Sequence, residues 1–70
     1  MKHYLRLTVS SQEIEIKNKE LLNLMNERDN IEVETQVIDE WAGIEVILEV
    51  IEIEGDKIVW QIKEVNNKGE

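Results

Sequence analysis

The sequence predicts an α+β fold, with a small and mainly antiparallel sheet of four or five strands and one helix packed on one face. Apolar and polar residues alternate along several short segments, which is the period of strands buried on one side. One segment alone, residues 19–28, has the spacing of an amphipathic helix. A chain of 70 residues is near the lower size at which a domain folds alone. We therefore expect one domain over residues 1–65 and a polar, flexible tail over residues 66–70.

The first strand is predicted near the N-terminus. Its alternation places Leu5, Leu7 and Val9 on one side. His3, the single histidine of the chain, is interpreted as a polar surface residue of this strand. A lone histidine in a chain without cysteine is a poor transition-metal site, so we expect neither catalysis nor metal binding from it.

The next segment allows two interpretations. In the first, a short loop turns the chain, and Ile14 and Ile16 pair across from Val9 and Leu7 as a second strand. In the second, Ser10 and Glu13 form a capping box that starts a helix running to Arg28. The helical interpretation buries polar residues on its apolar stripe and uses β-branched residues of modest helix propensity, which favours the hairpin. The element order is then β-β-α-β-β-β, and otherwise β-α-β-β-β.

In both interpretations the chain from Lys19 to Arg28 is helical. Leu21 and Met25 lie four residues apart and belong to an apolar stripe. Asn18 is a suitable N-cap, because its side chain can accept a hydrogen bond from the first turn.

Three further strands are predicted over residues 31–38, 44–54 and 57–65. Residues 40–43 read as a four-residue hairpin loop, in which Gly43 is available for a positive φ. The dipeptide Gly55-Asp56 has the composition of a two-residue hairpin turn.

The apolar phase changes within the longest of these strands. Val46, Leu48 and Val50 occupy even positions, whereas Ile51 and Ile53 occupy odd ones. One extra residue near Val50 and Ile51 lets both sets face the core, so a β-bulge is predicted there. The alternative is a strand buried on both faces with unbroken pairing.

The predicted core gathers the apolar positions that share the phase of these elements. Trp60 is in phase with its apolar neighbours, so we expect it to be buried with its indole N–H bonded to an acceptor. The full predicted core is Leu5, Leu7, Val9, Ile14, Leu21, Leu22, Met25, Ile31, Val33, Val37, Val46, Leu48, Ile51, Ile53, Ile58, Trp60 and Ile62.

Composition argues against several classes of function. The formal net charge of −8 has the wrong sign for direct nucleic-acid binding and for anionic membrane surfaces. Because the chain has no cysteine, it forms no disulfide and no thiolate metal site. No segment reaches the ~20 apolar residues of a membrane span, and the alternating N-terminus does not resemble a signal peptide. We expect a cytoplasmic protein, or one of the host cytoplasm if its origin is viral.

Catalysis is not expected from this sequence. Carboxylates are abundant, but no nucleophile accompanies a base, and the predicted loops are too short to form a cleft. The three glycines are isolated, which excludes a phosphate-binding glycine loop, and the acidic spacing does not match a calcium loop. We therefore expect no enzyme activity, no cofactor and no metal site.

The main functional lead is a strongly acidic segment. Residues 29–56 contain ten Asp or Glu residues and no Lys or Arg. Acids alternate there with Ile, Val and Leu, so the predicted strands place the carboxylates together on the outward face of the sheet. A Trp in an exposed loop is a frequent interface anchor. The candidate partner-binding residues are Glu32, Glu34, Asp39, Glu40, Trp41, Glu45, Glu49, Glu52 and Glu54.

Two classes of function fit these observations. In the first, the anionic face docks on a basic protein surface, for example as an inhibitor or regulator that mimics nucleic acid. In the second, the protein is structural or self-associating, as in a homodimer, and uses an apolar patch around Trp41 with Ile38 and Ile47. The excess of acid would then serve solubility alone. The first class predicts binding that weakens steeply with salt, and the second predicts contacts indifferent to it.

Overall fold

The protein is an α+β domain built on one mixed five-stranded sheet, as the sequence predicts. The computed structural model describes residues 2–28 and 30–67. Strands follow the order β2-β1-β5-β4-β3, in which β1 and β5 are parallel and the other pairs antiparallel. The elements are β1 (Lys2–Arg6), β2 (Glu13–Glu15), α1 (Lys19–Asn26), β3 (Gln36–Trp41), β4 (Ile44–Glu54) and β5 (Lys57–Asn67).

The hairpin interpretation of the N-terminal segment is confirmed. Its predicted register is wrong, because β2 pairs with β1 so that Ile14 lies opposite Leu5 and not opposite Val9. β1 ends at Arg6, earlier than predicted, because the backbone turns at once: Leu7 accepts a hydrogen bond from Ser11 N–H, and its own N–H bonds to Gln12 O. The predicted core position of Val9 is therefore wrong, since its side chain is 99% exposed in this turn.

The helix begins where the sequence predicts. The side chain of Asn18 accepts a hydrogen bond from Leu21 N–H at 3.0 Å, which satisfies one of the free donors of the first turn. α1 ends at Asn26, two residues before the predicted end. Arg28 lies beyond the helix and donates to Gln36 O at 2.9 Å. α1 is therefore tied to the start of β3.

The chain before β3 is a turn, not the predicted strand. Thr35 N–H bonds to Glu32 O across this turn, and Glu34 has a φ of 82°. Val50 pairs with two successive residues there, because its carbonyl accepts from Glu34 N–H while its own N–H donates to Thr35 O. This is the pattern of a β-bulge whose first position favours glycine. Glu34 thus lies in the turn, and Gln36 is the residue of β3 that lies opposite Glu49.

The two hairpins formed by β3, β4 and β5 have turns of two residues each. Gly55 has a φ of 58°, which confirms the predicted turn between β4 and β5. The predicted four-residue loop after β3 is wrong, because Trp41 pairs with Ile44 inside the sheet. Ala42 and Gly43, with φ of 51° and 79°, form the turn alone. Positive φ at both positions matches the right-handed twist of the strands they connect.

The predicted β-bulge in β4 is confirmed. Val50 lies opposite Trp60 and Glu52 lies opposite Val59, so Ile51 is the extra residue. The bulge lets Val50 and Ile53 both face the helix side. A second irregularity, at Lys63 of β5, was not predicted.

The core lies between α1 and one face of the sheet. Its buried side chains are Met25, Val37, Leu48, Val50, Ile58 and Trp60. Val9, Ile14, Val33, Ile53 and Ile62 were predicted in this core and are exposed. Val59 is fully buried although it lies on the opposite face. β5 continues to Asn67, inside the predicted tail, and residues 68–70 lie outside the described residues. No described helix is long and apolar enough to pass through a membrane.

Candidate functional site

The strand register defines three successive rows on the helix side of the sheet. Residues paired directly across strands point to the same face, so each row contains one residue each from β3, β4 and β5. The first row is Val37, Leu48 and Ile62, the second is Asp39, Val46 and Val65, and the third is Trp41, Ile44 and Asn67.

The helix covers these rows only in part. Met25 packs in the buried cluster with Val37 and Leu48, whereas Ile62, on the far strand of the first row, is 43% exposed. An eight-residue helix is about 12 Å long, but the eleven-residue strands beneath it extend for about 37 Å. The second and third rows are largely uncovered: Val46 is half-buried against the core, but Trp41 and Val65 are exposed.

A groove lies between the N-terminal end of α1 and these uncovered rows. Its cavity has a volume of about 320 Å³. Its lining combines three acids, one aromatic residue, one amide and two aliphatic residues: Asn18, Glu20, Asp39, Glu40, Trp41, Ile44 and Val46. We call this site the Trp41 groove.

The Trp41 groove has an exposed aromatic ring next to carboxylates. Trp41 is 75% exposed, the most exposed of the large aromatic side chains described. Among residues 2–28 and 30–67, no Lys or Arg forms a salt bridge with Glu20 or Asp39. An exposed indole face beside uncompensated carboxylates is suited to bind a cationic side chain by a cation–π contact and an ion pair.

The opposite face of the sheet is also acidic, but three of its carboxylates have cationic partners. Glu13 accepts from Arg6 at 2.6 Å and forms a second ion pair with Lys57. Glu52 lies 3.4 Å from the same Arg6 guanidinium. Glu49 pairs with Lys63 at 3.3 Å. The charge of this face is partly neutralised from within the chain.

These contacts shift the proton affinities of the paired groups. The Lys57 ammonium and the Arg6 guanidinium lower the pKa of Glu13 by hydrogen bonding to its charged form. The Gln36 amide and the Lys63 ammonium lower the pKa of Glu49 in the same way. For the cations, the hydrogen bond to Glu13 raises the pKa of Lys57 and of Arg6. All four groups are held in their charged forms.

The predicted partner-binding residues do not share one face, which corrects the sequence interpretation. Glu32 and Glu34 belong to the turn before β3, at the opposite end of that strand from Trp41. Asp39 and Trp41 lie on the helix side. The register places the other five on the opposite face: Glu40, Glu45, Glu49, Glu52 and Glu54.

Two of these five also have particular local contacts. Glu40 lies at the edge strand and still borders the Trp41 groove. Glu45 accepts a hydrogen bond from the Asn66 amide at 3.2 Å. The structure thus brings together Asp39, Glu40 and Trp41, and adds Glu20 from the helix, which the sequence did not indicate.

His3 is buried in the core, so its interpretation as a surface residue is wrong. The Trp60 indole N–H donates to His3 Nδ1 at 3.0 Å, which confirms that Trp60 is buried with an acceptor. Because an indole nitrogen only donates, His3 carries its proton on Nε2, which lies 3.1 Å from Asn26 Oδ1. His3 and Leu5 lie two residues apart and therefore point to the same side of β1. This spacing was the signal in the sequence that His3 is buried. The network joins β1, β5 and the end of α1.

Comparison with known proteins returns no similarity: no family model, no curated protein and no solved structure matches this chain. In the part of the chain that the structure describes, no three His, Asp or Glu side chains converge on a position that could bind a metal ion. The geometry and charge of the surface are therefore the features that point to a function.

Proposed function

We propose that this protein is a small acidic binding protein that docks a basic segment of a partner protein at the Trp41 groove. The observation that carries the proposal is the pairing of an exposed Trp41 with Glu20 and Asp39, for which the described residues provide no cation. A net charge of −8 adds long-range attraction for a basic partner.

The Trp41 groove is a better docking centre than the opposite face. On the opposite face, a partner lysine that bound Glu13, Glu49 or Glu52 would compete with Arg6, Lys57 or Lys63, which already contact these carboxylates. In the groove, a lysine or arginine gains its contacts without breaking such pairs. Mimicry of nucleic acid has less support than simple docking, because the carboxylates along β4 are partly neutralised.

The proposal is tested by removing equal charge at two places. Glu20→Gln with Asp39→Asn removes two negative charges from the groove, and Glu32→Gln with Glu34→Gln removes two from the turn. The probe is a fluorescently labelled oligolysine of about eight residues, measured by anisotropy at about 0.05 M and about 0.5 M salt. We expect the groove variant to bind at least about 5-fold more weakly than the turn variant.

Equal weakening by the two variants would show that oligolysine senses net charge alone, and the proposal would be wrong. Trp41→Ala adds a test that leaves the charge unchanged. Loss of a cation–π contact at an exposed site predicts a further weakening of about 2- to 5-fold. A Trp41→Ala variant that binds oligolysine as tightly as the original chain would also contradict docking at this groove.

Self-association is a second candidate, favoured by a separate observation. Ile62 of the first row and Val65 of the second row are exposed on β5, where an apolar surface remains open to water. If a second copy covers it, sedimentation in the high-micromolar range at high salt should show a dimer, and Val65→Glu should abolish it. A chain that remains monomeric under these conditions excludes this candidate.

A further inference from the structure

The occupant of the uncovered sheet can be specified further if the proposed docking of a basic partner is correct. We propose that the partner presents an amphipathic, cationic helix, which lies on the second and third rows beside α1. Its apolar stripe covers Val65 of the second row and the exposed Ile62 at the end of the first row, beside half-buried Val46. Its basic side chains reach Glu20 and Asp39 in the Trp41 groove.

The apolar residues of these rows continue the face on which α1 already packs. Leu48 is buried beneath the helix, while Val65, one row further along, is 57% exposed. The face therefore accepts a helix in one half and has none in the other. Sheets that are apolar on one face are covered in this way in two-layer α+β folds.

The dimensions of the uncovered half suit a short helix. β1 pairs with β5 only between Lys57 and Trp60, so the sheet beyond that point consists of β3, β4 and the second half of β5. The outer two of three strands are about 10 Å apart, and a helix is about 10 Å in diameter. The six residues from Ile62 to Asn67 extend for roughly 20 Å, the length of a helix of about 14 residues.

Charge decides against a second copy as the occupant. Two copies would bring a net charge of −8 against the same charge. A symmetric contact over this face would also place the Glu20 and Asp39 side chains of both copies within one interface, where repulsion between desolvated like charges is costly. A cationic helix converts the same carboxylates into attractive contacts.

Geometry decides against an added strand. β3 is an edge strand. The backbone N–H and C=O groups of Val37 and Asp39 point toward β4, so those of Ile38, which lies between them, point away from it. An extended peptide could pair there. It would leave Ile62 and Val65 open to water, because both lie on β5, two strands away from that edge.

Two probe peptides of identical composition test the proposal on the full chain. Each has about 14 residues, half Leu and half Lys. One has Leu at the i, i+3, i+4, i+7 spacing of an amphipathic helix, and its isomer alternates Leu and Lys. We expect the helical peptide to bind at least about 10-fold more tightly by calorimetry, and to become helical by circular dichroism.

A matched pair of variants locates the contact. Val65→Ser removes an apolar side chain from the uncovered rows, and Val33→Ser removes one of similar exposure, 57% against 54%, from the turn before β3. We expect Val65→Ser to weaken binding of the helical peptide by about 3- to 10-fold. Val33→Ser should change the affinity for this peptide by less than about 2-fold.

Each other outcome overturns the inference in a distinct way. Tighter binding of the alternating peptide, lost in Ile38→Pro, would assign the partner to the β3 edge. If both peptides bind equally and their binding weakens with salt, the proposed function would hold but the inference of a helical partner would be wrong. Salt-independent binding, or none, would remove both proposals. A dimer of the chain alone that Val65→Ser disrupts would show that a second copy occupies the surface.

Discussion

The two halves of the sheet are built from the same kinds of residue, yet only one of them is covered. In the covered half, Met25 and Trp60 are fully buried, whereas in the uncovered half Trp41 and Val65 are 75% and 57% exposed. Both tryptophans lie in β-strands and point to the helix side. Their different exposure follows from the position of α1. Apolar alternation in a sequence thus predicts the apolar face of a strand, but it does not predict what covers that face.

The largest expected effect contrasts the two tryptophans. Trp60→Ala removes a fully buried side chain and should lower the free energy of unfolding by about 3–5 kcal/mol, or abolish cooperative unfolding. Trp41→Ala removes an exposed one and should change it by less than about 0.5 kcal/mol. Urea denaturation followed by circular dichroism measures both. Comparable losses would show that Trp41 is buried in solution and that the contrast between the halves is wrong.

The next effect concerns the buried polar network of the covered half. His3→Leu leaves the Trp60 indole N–H without its acceptor, and an unsatisfied buried donor costs about 1–3 kcal/mol. Adding Trp60→Phe to His3→Leu removes the orphaned donor as well. We therefore expect the double variant to lose less stability than the sum of the two single changes. Strict additivity in a double-mutant cycle would mean that the bond does not contribute.

Backbone strain gives a smaller contrast between the two ends of β3. Glu34→Gly relieves a positive φ of 82° at a bulge tied to buried Val50, and it should stabilise the fold by roughly 0.5–1 kcal/mol. Ala42→Gly relieves a φ of 51° at the tip of the uncovered hairpin. Because exposed hairpin tips open locally, we expect a smaller gain in the urea midpoint there. A larger gain for Ala42→Gly would indicate that the uncovered hairpin limits global stability.

The smallest expected effect is the pH dependence of the stability that the ion pairs of Glu13 in β2 contribute. Because the pKa of Glu13 is lowered in the folded state, its pairing stabilises the protein above the unfolded pKa and is lost as pH falls through the folded one. The urea midpoint of the original chain should thus fall more steeply than that of Glu13→Gln between about pH 7 and about pH 3. Parallel pH profiles would show that the contacts with Arg6 and Lys57 contribute nothing to folding.

The sequence predicted the features that depend on neighbouring residues. Asn18 caps the helix as expected, because a cap needs only the three residues that follow it. The bulge at Ile51 was visible as a change of apolar phase. The turn around Glu34 was not predicted, because Ile, Glu and Val alternate there with the period of a β-strand. The bend there depends on hydrogen bonds to Val50, which is distant in the sequence.

The candidate site was predicted only in part. Asp39, Glu40 and Trp41 are consecutive in β3, and the sequence indicated all three. Glu20 was missed, because only the packing of α1 on the sheet brings it to the groove. The expectation of a single acidic face was wrong, because Glu32 and Glu34 lie in a turn and Asp39 points to the helix side.

The sequence by itself determined the helix with its cap, the turn at Gly55 and Asp56, the bulge at Ile51, and a net charge that restricts the choice of partner. Tertiary structure decided that β1 lies parallel to β5, that His3 is buried, and that a helix of two turns covers one half of much longer strands. Periodicity and capping act over a few residues, so they can be read along the chain. Strand order and helix placement depend on contacts between residues that are distant in the sequence. The Trp41 groove is open because of this strand order and this helix placement.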